Sequence, residues 1–215
     1  MNRPRTVLFA LLAVVAVPGL SACSGGSGGT VHTGSAAVVG GQRITVAALE
    51  NQVTAFRDVA PAHGQPGTSS SAAIYGQDSA GMPDHVLQFL IKTQVVQAAL
   101  DQKGLTVSAS DVTAEEAHVL SPGTSRSTLE AQFVTQAGLP PADLDDWFRM
   151  TTGEVKLLQS AGIATDSPEA APALTKMLDT AAAAQGIDIN PRYGGSWNPG
   201  APQLPEAAQP WIKQG

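Results

Sequence analysis

The sequence predicts a mainly α-helical domain with five to six helices and a small β-hairpin on its N-terminal side. Apolar residues recur at helical spacing in successive segments from residue 46 onward. Pro and Gly bracket these segments, as at Pro83, Gly104, Gly138 and Gly186, which are residue types that favour helix starts and stops. A Gly-Gly pair separates two short runs of strand-forming residues, which is a hairpin signal.

The composition limits the classes of function that the chain can serve. Its 215 residues are 43% hydrophobic, which is enough apolar material for one core. The net charge is −6 and no local basic cluster occurs, which argues against nucleic acid as a partner because binding of the phosphate backbone needs a basic face. The 22 Gly and 15 Pro residues exclude a single long helical rod.

The N-terminus carries an export signal. Arg3 and Arg5 precede an apolar run over residues 7–17, which is too short to cross a bilayer, so we expect residues 1–22 to be removed as a signal peptide. Leu20-Ser21-Ala22-Cys23 resembles the bacterial lipobox, which predicts lipid attachment at Cys23 and a location on the extracytoplasmic face of the cell membrane. The alternative is an ordinary signal peptide that contains an accidental Cys. Residues 23–35 are rich in Gly and Ser and are expected to form a flexible tether.

The first part of the folded domain combines a hairpin with a helix. Residues 36–39 and 42–45 are expected to pair around Gly40-Gly41. Thr45 is a suitable N-cap for an amphipathic helix that should end before Pro61. Residues 61–82 contain many Gly, Pro and Ser residues, and they are either disordered or a flap that folds back through Ile74 and Tyr75.

The central helices follow from their start and stop signals. Pro83 and Asp84 open a helix that runs to Lys103, and its apolar residues cover more than one stripe, as expected for a central helix. Ser108 and Asp111 resemble a capping box for the next helix, which continues to about residue 120. In the same way, Ser127 is expected to cap a helix that stops at Gly138.

The last elements are two helices and a short strand. Pro140-Pro141 should start a long helix that ends before Gly162. Ser167-Pro168 can open the final helix, with Pro172 moving its start later, and the helix should end at Gly186. Residues 187–189 alternate in polarity and can add a third short strand. The Pro-rich residues 196–215 are expected to be an extended or disordered tail, so that the helical domain covers residues 36–195.

Three stretches resemble a known family of folding factors. Residues 37–50 (AVVGGQRITVAALE), the central signature over residues 85–112 and the helix pair over residues 127–158 resemble the N-terminal chaperone module of SurA-type periplasmic folding factors, which is related in pattern to the C-terminal domain of trigger factor. The resemblance extends over about residues 37–162. The motif of residues 189–194 (INPRYG) also resembles the C-terminal end of small lipoproteins of this type.

The resemblance also implies what the chain is expected to lack. Members of this family usually carry a parvulin prolyl-isomerase domain, whose site is built around buried His residues. The stretch after Gly162 is short and contains no His, so we expect a chaperone module without the isomerase and without catalytic residues.

Other patterns give only weak support for a metal or catalytic site. His118 lies close to Glu115 and Glu116, and Asp143, Asp145 and Asp146 are crowded together, but a solvated polar face and a helix-dipole complement explain these groups better than a metal site does. The sequence contains no G-x-S-x-G elbow, no H-E-x-x-H motif and no phosphate loop. We therefore expect no metal, cofactor or catalytic group.

The leading functional hypothesis is a membrane-anchored extracytoplasmic chaperone that holds unfolded or extended segments of exported proteins without ATP. The alternative is an adaptor lipoprotein that binds one folded envelope partner. In either case the membrane is contacted only through the lipid, and nucleic acid is not a partner. The residues that either line a client groove or belong to the core are Leu87, Leu90, Phe133, Trp147 and Phe148.

Overall fold

A computed structural model describes residues 33–63, 81–120, 123–201 and 204. In chain order its elements are β1 (Ser35–Val39), β2 (Gln42–Thr45), α1 (Val46–His63), α2 (Met82–Gln102), α3 (Ala109–Val119), α4 (Arg126–Ala137), a 3-10 turn (Pro141–Asp143), α5 (Leu144–Ser160), α6 (Ala170–Gln185) and β3 (Ile187–Ile189). The prediction of a mainly α fold with a small sheet is confirmed. The signal peptide, Cys23, most of the tether and residues 64–80 of the expected flap lie outside the described residues.

The small sheet joins the two ends of the domain. Its strand order is β2-β1-β3, and both pairs are antiparallel. The hairpin turn is the one that the sequence predicts, with φ of 58° at Gly40 and 82° at Gly41, which is the left-handed backbone of a type I′ turn. Residues 187–189 do form the third strand, where Ile187 lies opposite Val39 and Ile189 opposite Ala37.

Helix α2 is the central element of the core. It contacts α1, α5, α6 and β1. An ordinary surface helix buries one stripe, whereas α2 buries residues on most of its circumference because neighbours surround it. Its buried residues are Met82, Val86, Leu87, Gln88, Phe89, Ile91, Val95, Val96, Ala99 and Leu100.

A glycine allows α5 to approach α2 closely. A Cβ placed on Gly153 would lie 2.9 Å from a methyl carbon of Val96 and 3.0 Å from one of Leu100. Such distances leave no room for a methyl group. The cost of a helical glycine is therefore offset by the close packing of the two helices.

Two predicted helix boundaries are wrong. Helix α1 continues through Pro61 to His63, so the proline does not end the helix before its own position. Helix α4 is capped by Ser125, whose hydroxyl accepts from the Thr128 N–H at 3.2 Å, and not by Ser127. The earlier start places Arg126 in the first turn, where it binds acidic residues of two other segments.

The other predicted caps agree closely with the structure. Ser108 and Asp111 form the full capping box of α3, and Gly138 ends α4 with a left-handed φ of 65°. The residues after Pro140 first make the 3-10 turn, so α5 begins at Leu144. Helix α6 begins at Ala170, after Ser167-Pro168, which agrees with the expectation that Pro172 can move its start later.

The described part of the tail packs on the body. The Gln88 side-chain amide donates to the carbonyl oxygens of Asn198 (2.6 Å) and Ala201 (3.1 Å). Leu204 is only 2% exposed and belongs to the main core. The tail of residues 196–215 was expected to be extended or disordered, and the burial of Leu204 explains why its described residues pack on the body.

Candidate binding cleft

An open cleft of about 360 Å³ lies between helix α1, the start of α2 and the segment that follows β3. One wall is helix α1, another is Pro83 at the start of α2, and the third is the segment that follows β3. The volume is at the lower end of the range for ligand pockets, so the cleft has room for a few side chains and not for a folded partner. The residues that line it are Leu49, Glu50, Val53, Thr54, Arg57, Pro83, Arg192 and Tyr193.

Helix α1 supplies both the floor and the rim of this cleft. Leu49 and Val53 are buried and form one stripe. Glu50, Thr54 and Arg57 follow at positions i, i+4 and i+7, so they share the adjacent face and are exposed. The helical repeat alone therefore places an apolar floor beside a polar rim.

The opposite wall is fixed by strand β3 and an asparagine. The Asn190 N–H donates to the carbonyl of Ala36 at 2.9 Å, and its side-chain amide donates to the carbonyl of Ser35 at 3.1 Å. The Asn190 side-chain oxygen accepts from the Arg192 N–H at 3.1 Å, which makes the turn that follows the strand. This turn places Arg192 and Tyr193 against the cleft.

Arg192 and Tyr193 differ in exposure but contact each other. Tyr193 is 6% exposed, whereas Arg192 is exposed. The guanidinium carbon of Arg192 lies 5.7 Å from the centroid of the Tyr193 ring, which is within the range of a cation–π contact. The ring thus supports the arginine at the rim.

The described residues at the rim carry both signs of charge. Two of them are arginines, Arg57 and Arg192, and one is a carboxylate, Glu50; Arg57 also makes an interaction of its own. The groups of the cleft can donate hydrogen bonds, attract an anion and cover an apolar side chain. They suit reversible, non-covalent binding.

A smaller second cleft of about 150 Å³ lies between the hairpin turn and helices α2 and α6. Amide side chains dominate it, including Gln42, Gln94 and Gln185, and Gln97 donates to Asp101 at 2.8 Å. It has less than half the volume of the first cleft. We therefore regard the larger cleft as the candidate site.

The five groove candidates from the sequence lie away from both clefts. Leu87 and Phe148 are 0% exposed and belong to the core, which is the other role that the sequence left open for them. Phe133 is 5% exposed, whereas Leu90 and Trp147 are partly exposed. The Trp147 ring lies 5.9 Å from the Phe133 ring and 5.2 Å from the Phe148 ring, in edge-to-face geometry. These aromatic side chains form one cluster that extends from the core to the surface.

The acidic groups that suggested a cation site are divided between other roles. Asp145 and Glu116 both pair with Arg126, at 2.7 and 2.6 Å. Asp146 is exposed in the first turn of α5, where the helix dipole favours it. Within the part of the chain that the structure describes, no group of three His, Cys, Asp or Glu side chains is placed to hold a metal ion.

Asp143 is the most unusual carboxyl group among the described residues. It is 2% exposed, its side chain meets that of Gln52 on α1, and its Oδ2 atom has no hydrogen-bond partner in the described structure. Burial raises the pKa of Asp143 to about 6, and the nearby charge of Asp146 acts in the same direction. This group lies at the corner between α1 and α5, outside the cleft.

Sequence reasoning did not identify Arg57, Arg192 or Tyr193 as site residues. A usable signal was the INPRYG motif, residues 189–194, which the predicted fold left without a role. The polar stripe at positions 50, 54 and 57 was a second, weaker signal. Only the fold brings these two distant parts of the chain together.

None of the described helices is both long enough and apolar enough to cross a membrane. Cys23, the predicted lipid-attachment residue, lies outside the described residues.

Comparison with known proteins identifies the family. No curated protein and no solved structure matches the chain. A family model described as the SurA-like N-terminal domain matches residues 3–118, which is more than half of the chain. The match includes the α1 and α2 walls of the cleft and ends within α3, so it confirms the first two stretches of the expected resemblance and does not reach the third. The chain belongs to the SurA-like N-terminal domain family.

Proposed function

We propose that this protein is a membrane-anchored extracytoplasmic chaperone of the holdase type, which binds extended or unfolded segments of exported proteins without ATP. The SurA-like N-terminal domain has a chaperone-type role and is a non-catalytic module. The observation that carries the proposal is the open cleft beside α1, because it combines an apolar floor with a polar rim.

The chemistry of this cleft suits an extended chain better than a folded surface. An extended segment presents side chains and unpaired backbone groups together, and the cleft offers apolar contact and hydrogen-bond donors side by side. With a volume of about 360 Å³ it covers only a few side chains of a client. Such shallow contact favours weak, reversible binding with loose selectivity.

The anchor is proposed from the lipobox-like Leu20-Ser21-Ala22-Cys23. In the intact cell, the wild-type chain is expected in the membrane fraction and to incorporate labelled palmitate. Substitution Cys23→Ser should abolish the label and release the domain from the membrane. Label incorporation that persists in Cys23→Ser would contradict the anchor.

The holdase activity can be measured by light scattering during aggregation of a chemically denatured client. The purified chain is expected to slow aggregation at stoichiometric ratios, without added nucleotide and without accelerating prolyl isomerisation in a peptide assay. A chain that leaves the aggregation rate unchanged would contradict the proposal. A pull-down that recovers one folded envelope protein at equal amounts would instead support an adaptor.

A further inference from the structure

We infer that the surface of helix α2 around Gln88 is a second polypeptide-binding site, which the chain's own C-terminal strap occupies in competition with a client segment. The strap is the described part of the tail, residues 197–201 and Leu204. This inference rests on the proposed function only for the identity of the competing ligand, an unfolded client. The site itself is defined by the contacts that the strap makes.

Gln88 binds the strap through backbone atoms. Its side-chain amide donates to the carbonyl oxygen of Asn198 at 2.6 Å and to that of Ala201 at 3.1 Å. Every residue of a polypeptide carries a backbone carbonyl, so these two hydrogen bonds do not depend on the side chains of the bound segment. A segment of another chain can therefore accept the same two bonds.

A turn within the strap brings the two carbonyls to the same amide. The Ala201 N–H donates to the Asn198 carbonyl at 3.1 Å, and the Gly200 N–H donates to the Asn198 side-chain oxygen at 2.9 Å. Asn, Pro and Gly in this order favour such a turn. The site therefore suits a segment that is free to turn, as an unfolded client is.

Leu204 is the apolar anchor of the strap. It is 2% exposed and belongs to the main hydrophobic core. It follows Ala201 by three residues, so the Cα atoms of the two residues lie at most about 11 Å apart. The site thus combines an amide that binds backbone with a nearby buried position for one aliphatic side chain, whose burial stabilises the bound segment.

The strap leaves two buried polar atoms without partners. Gln88 is 3% exposed, yet its Oε1 atom accepts no hydrogen bond from the described residues, and the indole Nε1 of Trp197 has no acceptor among them. Pro199 and Pro202, which follow the two bound carbonyls, have no N–H to donate. A buried polar atom without a partner costs free energy, so the strap is an incomplete ligand for this site.

A client can compete with the strap because its backbone N–H groups supply what the strap lacks. An N–H that reaches the Oε1 atom of Gln88 adds a hydrogen bond to those that the strap already makes. The strap has the advantage of covalent attachment, which gives it a high effective concentration at the site. Weakening the strap should therefore raise the apparent affinity for a segment added from outside.

The test measures fluorescence anisotropy with the purified full chain and a labelled peptide of residues 196–205, Ser-Trp-Asn-Pro-Gly-Ala-Pro-Gln-Leu-Pro. We expect Leu204→Ala to bind this peptide about 10-fold more tightly than the wild-type chain does, because the attached competitor loses its apolar anchor. The same peptide with Ala in place of Leu should bind to the Leu204→Ala chain about 10-fold more weakly.

Further variants locate the site. Asn198→Ala weakens the turn and leaves Leu204 intact, so it should also raise the affinity for the peptide, by a smaller factor. Gln88→Met, added to Leu204→Ala, should lower the affinity about 5- to 10-fold because the two backbone hydrogen bonds are lost. Gln97→Met is the matched control, since Gln97 is exposed on α2 and donates to Asp101. Circular dichroism of each variant separates loss of binding from loss of fold.

Several outcomes would overturn the inference. One is an affinity for the peptide that neither Leu204→Ala nor Asn198→Ala raises, and another is binding that survives Gln88→Met. Wild-type dimers in size-exclusion chromatography that the peptide dissociates would assign the site to the strap of a second copy and not to a client. The aggregation assay decides the holdase proposal separately, because the wild-type chain can slow aggregation through the cleft beside α1 while the strap stays in place.

Discussion

Helices α2 and α3 follow one another in the chain but are stabilised in different ways. Helix α2 is surrounded by neighbours and buries residues on most sides. Helix α3 has no buried residue and rests on one side against α5.

Polar contacts take the place of burial at α3. Asp111 closes the capping box with Ser108 and accepts from the Lys156 ammonium at 2.6 Å. The Lys156 and Ser108 hydrogen bonds hold the pKa of Asp111 well below its usual range. At the other end of α3, Glu116 pairs with Arg126 at 2.6 Å. A helix held by exposed polar contacts should open locally long before a helix held by burial does.

The largest expected difference comes from the same truncation in both helices. Val86→Ala on α2 removes a fully buried side chain and should lower the free energy of unfolding by about 2–3 kcal/mol, because the methyl groups leave a cavity. Val112→Ala on α3 removes a partly exposed side chain and should cost less than about 1 kcal/mol. Urea unfolding of both variants measures the difference. Equal losses would show that α3 contributes to the core as much as α2 does.

The core should respond to pH through Asp143. Burial raises the pKa of Asp143 in the folded state to about 6, above the unfolded value of 3.8. The folded state therefore binds the proton more tightly than the unfolded state does. The stability that this adds at low pH is lost as pH rises from 3.8 through about 6. Asp143→Asn should therefore stabilise the fold at pH 8 by roughly 1–2 kcal/mol and have little effect near pH 4. Burial also raises the pKa of Asp84 to about 6. The stability of the Asp143→Asn variant should therefore still depend partly on pH.

Urea unfolding at several pH values measures this effect. Asp166→Asn is the matched control, because Asp166 is exposed in the loop before α6. An equal change in stability at pH 4 and pH 8 would contradict the raised pKa of Asp143, because the effect of the substitution would then not depend on ionisation of the carboxyl group.

Removal of the capping box should change the local stability of α3 and leave that of α2 unchanged. Ser108→Ala removes the side chain that accepts from the Asp111 N–H, and should destabilise α3 by about 1 kcal/mol. Hydrogen exchange should quicken at the amides of α3 while those of α2 keep their protection. Faster exchange throughout α2 would mean that the two helices unfold as one unit.

The smallest expected effect concerns the ion pair between Lys156 and Asp111. Lys156→Met should increase hydrogen exchange in α3 a few-fold at low salt and have little effect at about 1 M salt, where such contacts are screened. Lys176→Met on the exposed face of α6 is the control. A salt-independent effect would assign the contribution of Lys156 to the hydrogen bond that its ammonium donates to the Thr106 carbonyl at 2.9 Å, because Met keeps an apolar side chain of similar length.

Local patterns predicted the secondary structure well and the functional surface poorly. The Gly40-Gly41 turn, the capping box of α3 and the stop at Gly138 each depend on a few adjacent residues, so they could be inferred from the sequence. The cap of α4 was predicted at Ser127 and is Ser125. Either serine can cap the helix, and the ion pairs of Arg126 with Glu116 and Asp145 favour the earlier start.

The groove candidates illustrate the same limit. Leu87 and Phe148 have an apolar character that suits a groove as well as a core, and periodicity does not distinguish the two roles when a helix is apolar on most sides. Their burial depends on α1, α5 and α6 packing around α2, which is a property of the whole fold.

The sequence by itself determined the helical class and the Gly40-Gly41 hairpin, because these depend on residues close in the chain, and it also carried the family resemblance. Only the tertiary structure decided that Arg192 and Tyr193 face Leu49, Val53 and Arg57 across one cleft. The physical reason is the pairing of β3 with β1, which brings the C-terminal segment back to the first helix over a separation that no local pattern records.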